Sequence, residues 1–281
     1  MKMQILFNNQ NNKEYQAMLN SLLKDVFFDF QFWYDLDLWD ENYESYSMFE
    51  NGEIVSNICV FKTQILCDGK QYPALSVGAV ATKEEYRGRG LARSLMEHII
   101  EKYEGTPMYL FANEDVVNFY PKFGFKRVSE KLPVCHCEIN NDNKPKKLQY
   151  NDPKVWDYVC KRVNYSQKLD CLNSASINIF HIYSGYLKDL IYEIPELDTL
   201  VIAEQKNASL KLIGVFSLRE IDFSDLAKYL PFRNVEKVEF GFMPYWSELE
   251  YEMQIYETDP IFIRGITREL GDVKFPELSI T

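Results

Sequence analysis

The chain has no apolar run long enough to cross a bilayer, which excludes a helical membrane protein. It has no basic tract, and 31 Lys and Arg stand against 42 Asp and Glu, a formal charge of −11. A surface that holds phosphate backbones needs the opposite sign, so no nucleic acid is expected as a partner. Cysteine is scarce, with six residues at irregular positions and no disulfide framework, which points to a reducing compartment. Histidine is scarcer still, at three. Cys135-His136-Cys137 invites a metal reading, but it lacks a second ligand pair, and strand alternation turns His136 away from both thiols. No metal is expected. His98 and His181 have no obvious partner in the sequence. The opening Met1-Lys-Met-Gln-Ile-Leu-Phe7 holds too short an apolar run for a secretory leader, so the expected location is cytoplasmic.

What is present begins with length: 281 residues suggest two domains. The polar, proline-containing stretch from Ile139 to Lys147 marks a boundary, giving domains 1–146 and 147–281. The most informative segment runs from Leu75 to Tyr103. Leu75, Val77, Ala79 and Ala81 alternate with Ser76, Gly78, Val80 and Thr82, a strand that is small or apolar on both faces and therefore buried in a sheet. Gly78 within it suggests a bulge or a close backbone approach. Leu91, Leu95, Ile99 and Tyr103 then recur every four residues, the stripe of a core-facing helix. Arg87-Gly88-Arg89-Gly90 joins the two. A glycine turn into a helix N-terminus gathers unpaired N–H groups and partial positive charge, the local chemistry of a phosphate site.

The spacing narrows the choice. A P-loop needs G-x-x-x-x-G-K-[ST], which is absent. A dinucleotide fingerprint needs G-x-G-x-x-G, and Gly88-x-Gly90 is followed by Arg93 at its third position. Arg87, Gly90 and Ala92 instead satisfy R-x-x-G-x-[GA]. Some thirty residues on, Met108 to Asn113 reads as a short strand and Glu114 to Tyr120 as a short helix ending before Pro121. Gly124 fits a positive-φ turn before the strand from Lys126. With Asn113, Phe119-Tyr120 and Gly124-Phe125, these residues form N-x-x-x-x-x-F-Y-x-x-[FL]-G-F.

The two patterns, in this order, resemble the paired motifs of the GNAT N-acetyltransferase superfamily. Upstream, a helix over Glu14–Phe27, an aromatic stretch over Asp29–Asp40 and strands joined at Asn51-Gly52 and Asp68-Gly69 extend the resemblance over residues 1–146. The Val80-Ala-Thr-x-x-Glu-Tyr-Arg-Gly-Arg-Gly90 wording is most like the Eis-related bacterial branch. The implied fold class is α/β (α+β): a GNAT fold with a mixed, mostly antiparallel central sheet, followed by a second, smaller α/β domain.

The resemblance also implies a function, transfer of an acetyl group from acetyl-CoA to a primary amine by direct attack. Val80, Ala81 and Thr82 would pair with the pantetheine arm. Gly88, Arg89, Gly90, Leu91 and Ala92 would hold the pyrophosphate, with Arg87 and Arg93 beside it and Asn113 on the neighbouring strand end. Tyr120 would protonate the departing thiolate, since a phenol of pKa about 10 stays protonated at neutral pH. No carboxylate lies on the cofactor strand to act as base. Glu114 and Asp115 read as helix-start residues, and a water chain could serve instead. In some Eis-related enzymes the terminal carboxylate enters the active site, a place that here falls to Thr281. For the acceptor, Trp33, Asp35 and Asp37 stand in a stretch dense in aromatics and acids, which suits a small cationic amine of polyamine or aminoglycoside type. The alternative function is a non-catalytic GNAT-fold protein that senses acetyl-CoA or an amine.

Beyond the boundary, Asp152–Tyr165, Ile182–Glu193 and Ser224–Leu230 read as helices. Thr199–Glu204, Leu210–Leu218, Lys237–Met243 and Ile261–Arg264 read as strands. The order loosely repeats the first half, as a degenerate GNAT-like repeat in which Val238–Met243 corresponds to Leu75–Val80. The phosphate turn is absent there, so Arg87 to Ala92 is expected to be the chain's sole acetyl-CoA site. The oligomeric state is not legible in the sequence.

Overall fold

The computed structural model describes residues 4–7, 10–256, 259–266 and 271–281. In chain order the elements are β1 (Gln4–Phe7), α1 (Lys13–Val26), α2 (Gln31–Asp35), β2 (Tyr43–Glu50), β3 (Glu53–Cys67), β4 (Lys70–Thr82), α3 (Leu91–Lys102), β5 (Met108–Phe111), β6 (Lys126–Val128) and β7 (Lys131–Ile139). There follow β8 (Lys146–Lys147), α4 (Pro153–Lys161), β9 (Leu169–Cys171), α5 (Ala175–Ser184), β10 (Ile191–Ile194), β11 (Thr199–Lys206), β12 (Ser209–Ser217), α6 (Phe223–Tyr229), β13 (Val235–Phe240), β14 (Glu252–Ile255) and β15 (Ile261–Arg264). Among the described residues no helix is long and apolar enough to cross a membrane.

The strands form two mixed sheets. The first runs β1-β2-β3-β4-β5-β15-β6, with β9 also paired to β3. The second runs β14-β7-β13-β12-β11-β10-β8. Each sheet is antiparallel except for one parallel pair, β4 with β5 and β12 with β13. This is the mixed, mostly antiparallel α/β architecture expected from the sequence. The chain crosses between the sheets more than once. β7 lies before residue 146 and joins the second sheet, while β9 and β15 lie after it and join the first.

Strand alternation explains the layering. On β3, Cys59 and Phe61 face a core shared with α1, α2, α4 and α5, while Ile58 and Val60 face the core under α3. On β11, Leu200 and Ile202 join that shared core, while Val201 and Ala203 face the core under α6. Helices α1, α2, α4 and α5 thus lie between the two sheets, with α3 and α6 on the outer faces. On α3 the expected stripe is buried, with Leu95, Met96 and Ile99 at 0% exposure.

The second sheet repeats the topology of the first. β2-β3-β4-α3-β5 and β10-β11-β12-α6-β13 each make two antiparallel steps, then a helix, then a parallel strand. The correspondence differs from the sequence expectation by one strand. β12, not Val238–Met243, takes the place of β4, and β13 takes that of β5. Two local expectations are also corrected. The helix over Glu114–Tyr120 is instead two single 3₁₀ turns, Glu114–Val116 and Tyr120–Phe123, because the β-branched pair Val116-Val117 and Pro121 leave too few residues to propagate a helix. The helix over Ile182–Glu193 stops at Ser184, before Gly185, and Ile191–Ile194 pairs with β11.

The last residues are held by a buried ion pair. Lys274 Nζ lies 2.9 Å from Glu130 Oε2, and both side chains are 1% exposed. Glu130 also accepts the Phe275 N–H at 2.6 Å. Burial pushes the Glu130 carboxyl above the usual range, and Lys274 opposes it. Truncating one partner strands the other charge. Lys274→Met is therefore expected to cost about 3–5 kcal/mol of stability. The double variant Lys274→Met with Glu130→Leu should recover a large part of it. Urea unfolding of the three proteins checks this, and equal stability of the single variant and the wild type would refute it.

Candidate active site

The site begins at an irregularity in β4. Its register with β3 runs Cys59↔Gly78 and then Asn57↔Ala81, so Ala79 and Val80 together face Ile58. This is a β-bulge, directly after Gly78, where the sequence suggested a bulge or a close backbone approach. Ala79 takes a positive φ of 46°, and its carbonyl accepts a hydrogen bond from Asn57 Nδ2 at 3.3 Å. β4 and β5 pair only at Leu75↔Met108 and Ser76↔Tyr109. Beyond Ser76 they diverge. β5 is paired on its far side with β15, while Val77, Gly78, Ala79, Val80 and Thr82 at the parted end of β4 line a cavity.

That end leads into the glycine turn. Gly88 and Gly90 adopt φ of 76° and 80°, with nothing within 4 Å of the position a Cβ would take. Gly90 is the N-cap of α3 and supplies no side-chain partner to the helix's first amides. Arg87 Nε donates to the Thr82 carbonyl at 3.3 Å, and Arg89 packs its guanidinium 4.6 Å over the Tyr86 ring. The arrangement can bind an anion at Gly88 to Ala92 through main-chain N–H groups.

The cleft opens into a cavity of about 670 Å³. Val80, Thr82, Arg87, Ala92, Asn113, Tyr120 and Trp33 line it, so these sequence candidates are brought together. Gly88, Arg89, Gly90, Leu91 and Arg93 lie along the adjoining turn and helix start, outside its lining, and Ala81 faces the core shared by the inner helices. Asp35 and Asp37 are exposed and do not line it. The Asp35 carboxylate accepts from Gln31 Nε2 at 2.9 Å on the surface of α2. Of the two acids considered near Tyr120, Asp115 lines the cavity, while Glu114 pairs with Arg127 at 2.9 Å.

Tyr120 sits against Phe119, Phe125 and Phe262, and burial pushes its phenol up to about 12. Among the described residues its hydroxyl has no hydrogen-bond partner. It is a protonated donor facing a cavity.

Sequence reasoning found Thr281 only through the resemblance and missed the wall supplied by α5. Ile280 and Thr281 line the cavity, as do Ile177 and Phe180. A Cβ on Gly78 would lie 2.7 Å from the Thr281 carbonyl carbon, so the glycine admits this residue. The Thr281 hydroxyl bonds Ser76 Oγ, and the Ile280 carbonyl accepts from His181 Nε2 at 2.6 Å. Burial holds the His181 imidazole below its ordinary value, so it is neutral and its proton is on Nε2. Just upstream the same segment passes the second sheet. The Glu277 N–H donates to the Gly241 carbonyl at 2.8 Å, and Leu278 packs on Gly214, beside the β12 bulge. The cleft between β12 and β13 is thus filled by the chain itself. Where the first sheet has its glycine turn, the second has Leu218-Arg-Glu-Ile-Asp222, with no glycine.

Residues 9–128 match the family model of the acetyltransferase (GNAT) domain. No curated protein matches the sequence. Among solved structures, the chain is similar to Eis1 from Mycobacterium abscessus, with 12% identity over 94% of this chain and 73% of that one, at a TM-score of 0.58. It is similar to a probable N-acyltransferase of unknown function from Enterococcus faecalis V583, at 15% identity, 94% and 73% coverage, and a TM-score of 0.56. A GCN5-related N-acetyltransferase from Kribbella flavida is similar at 12% identity, 93% and 71% coverage, and a TM-score of 0.56. At these identities the likeness is one of fold.

The close approach at Gly78 is testable. Gly78→Ala is expected to displace Thr281 and to cost about 1–3 kcal/mol by overpacking. Amide exchange at Leu278–Thr281 should become faster while that of α3 stays unchanged. Unaltered protection of these residues would show that Gly78 does not hold them.

Proposed function

We propose that this chain, whose residues 9–128 carry a GNAT acetyltransferase domain, transfers the acetyl group of acetyl-CoA to a primary amine of a small molecule. One observation carries the reading: the unpaired edge of β4 leads to the open glycine turn at one end and to the Tyr120 hydroxyl in the same cavity. An extended arm can add to that edge as a strand does, and a pyrophosphate suits the amides at the start of α3.

Acetyl-CoA supplies an acyl thioester. The protein's groups supply position and protons. Main-chain N–H groups freed by the bulge at Ala79 and Val80 stabilise the charge that develops on the carbonyl oxygen. The cavity holds the neutral amine beside the carbonyl carbon, so a C–N bond forms by proximity as the C–S bond breaks. Tyr120 gives its proton to the departing sulfur. The proton lost by the amine can pass to Asp115 or, where Thr281 ends the protein, to its α-carboxylate, both at the cavity wall.

Tyr120→Phe is expected to lower kcat by about 10²-fold or more. The KM for acetyl-CoA should change little, because the ring remains. In the wild type the rate should rise with pH as the acceptor amine loses its proton. It should not fall through tyrosine ionisation, because the folded phenol keeps its proton up to about 12. Thiol release from acetyl-CoA, followed against pH for both proteins, checks this. A Phe variant with full kcat would remove Tyr120 from the chemistry. Absence of thiol release with every amine tried would favour a binding protein over an enzyme.

A further inference from the structure

The acceptor end of the cavity is aromatic, and among its described side chains there is no acid. Its wall comes from three places: the turn after α1, with Phe28 and Phe30; Trp33 on α2; and Phe180 on α5. Phe180 is the hub, with ring centroids at 5.3 Å from Phe30, 5.5 Å from Trp33 and 6.0 Å from Phe28. Phe28 remains 43% exposed, so this aromatic face is reachable from solvent. Arg87 and Asp115 also line the cavity, but they belong to the turn after β4 and the segment after β5. Trp33 is 3% exposed and its indole Nε1 is closed off from solvent, so what it offers the cavity is its ring.

Resting on the acetyl-transfer reading above, we propose that the acceptor is a monoamine with a flat aromatic body, packed against the wall formed by Phe180 and Phe28. The physical choice is between this and a polycation. An aralkylamine gives up its single charge before it attacks, and its ring then gains contacts with the aromatic wall. A polyamine or aminoglycoside would bring further ammonium groups to these aromatic side chains, with no acidic side chain among the described residues of this wall, and each would be desolvated without a counter-charge.

The test uses the full chain, acetyl-CoA and thiol release with four amines: 2-phenylethylamine, tyramine, spermidine and kanamycin. The kcat/KM for the two aromatic amines is expected to exceed that for the other two by roughly tenfold or more. Phe180→Ala should raise the KM for aromatic amines by roughly tenfold, with the KM for acetyl-CoA unchanged. Phe28→Ala, at an exposed position, tests the same face with little risk to folding and should raise the same KM. A preference for spermidine or kanamycin, or aromatic-amine KM values unmoved by Phe28→Ala, would overturn the acceptor assignment and leave the acetyltransferase reading standing. Absence of thiol release with all four amines, while acetyl-CoA still binds, would overturn both.

Discussion

The structure turns on the parting of β4 from β5 after Ser76. Two neighbouring strands ordinarily satisfy each other's main-chain groups, and an unpaired strand edge inside a sheet is costly. Here the bulge at Ala79 and Val80 turns the backbone away, at a cost of about 1–2 kcal/mol for a left-handed alanine. The hydrogen bond from Asn57 to the Ala79 carbonyl helps to hold it there. β15 takes the other edge of β5, so β5 is paired while β4 beyond Ser76 has no strand partner on that side among the described residues. The glycine turn, Tyr120 and Thr281 are all placed relative to that opening.

The second sheet contains the same device in a filled state. β12 bulges against β11, and β12 and β13 are the parallel pair, but Glu277 bonds Gly241 and Leu278 packs on Gly214 in the gap. The segment that closes this cleft continues to Thr281 at Gly78 in the other. The ion pair of Lys274 with Glu130 anchors it upstream, and His181 holds Ile280 near its end. One cleft is thereby occupied by the protein, and its occupant forms part of the wall of the other. The second half of the chain also supplies Phe180, so the proposed acceptor wall needs both halves.

Much of the site was legible because its signals are local. Arg87, Gly90 and Ala92 lie within one turn, and Phe119-Tyr120 with Gly124 within another, so sequence spacing alone brings them out. Gly78 marked the bulge for the same reason, and Gly124 takes the expected positive φ of 81°. What escaped was set by contacts distant in sequence. β15 was recognised as a strand with its observed ends, but its insertion between β5 and β6 follows from pairing across some 150 residues of chain. Asp35 and Asp37 share a stretch with Trp33, yet the face of a helix as short as α2 is decided by what packs on it. Phe180 gave a weak signal. Ile177, Ile179, Phe180 and Ile182 make α5 apolar around most of its circumference, which marks a helix covered on more than one side but not what covers it.

One cleft is proposed to take acetyl-CoA, and the other is closed by the chain. Calorimetric titration of acetyl-CoA into the purified full-length protein tests this most directly. One molecule bound per chain, with binding lost when Ala92→Glu places a carboxylate at the start of α3, is the predicted result. Two molecules per chain, or binding that survives Ala92→Glu, would contradict it.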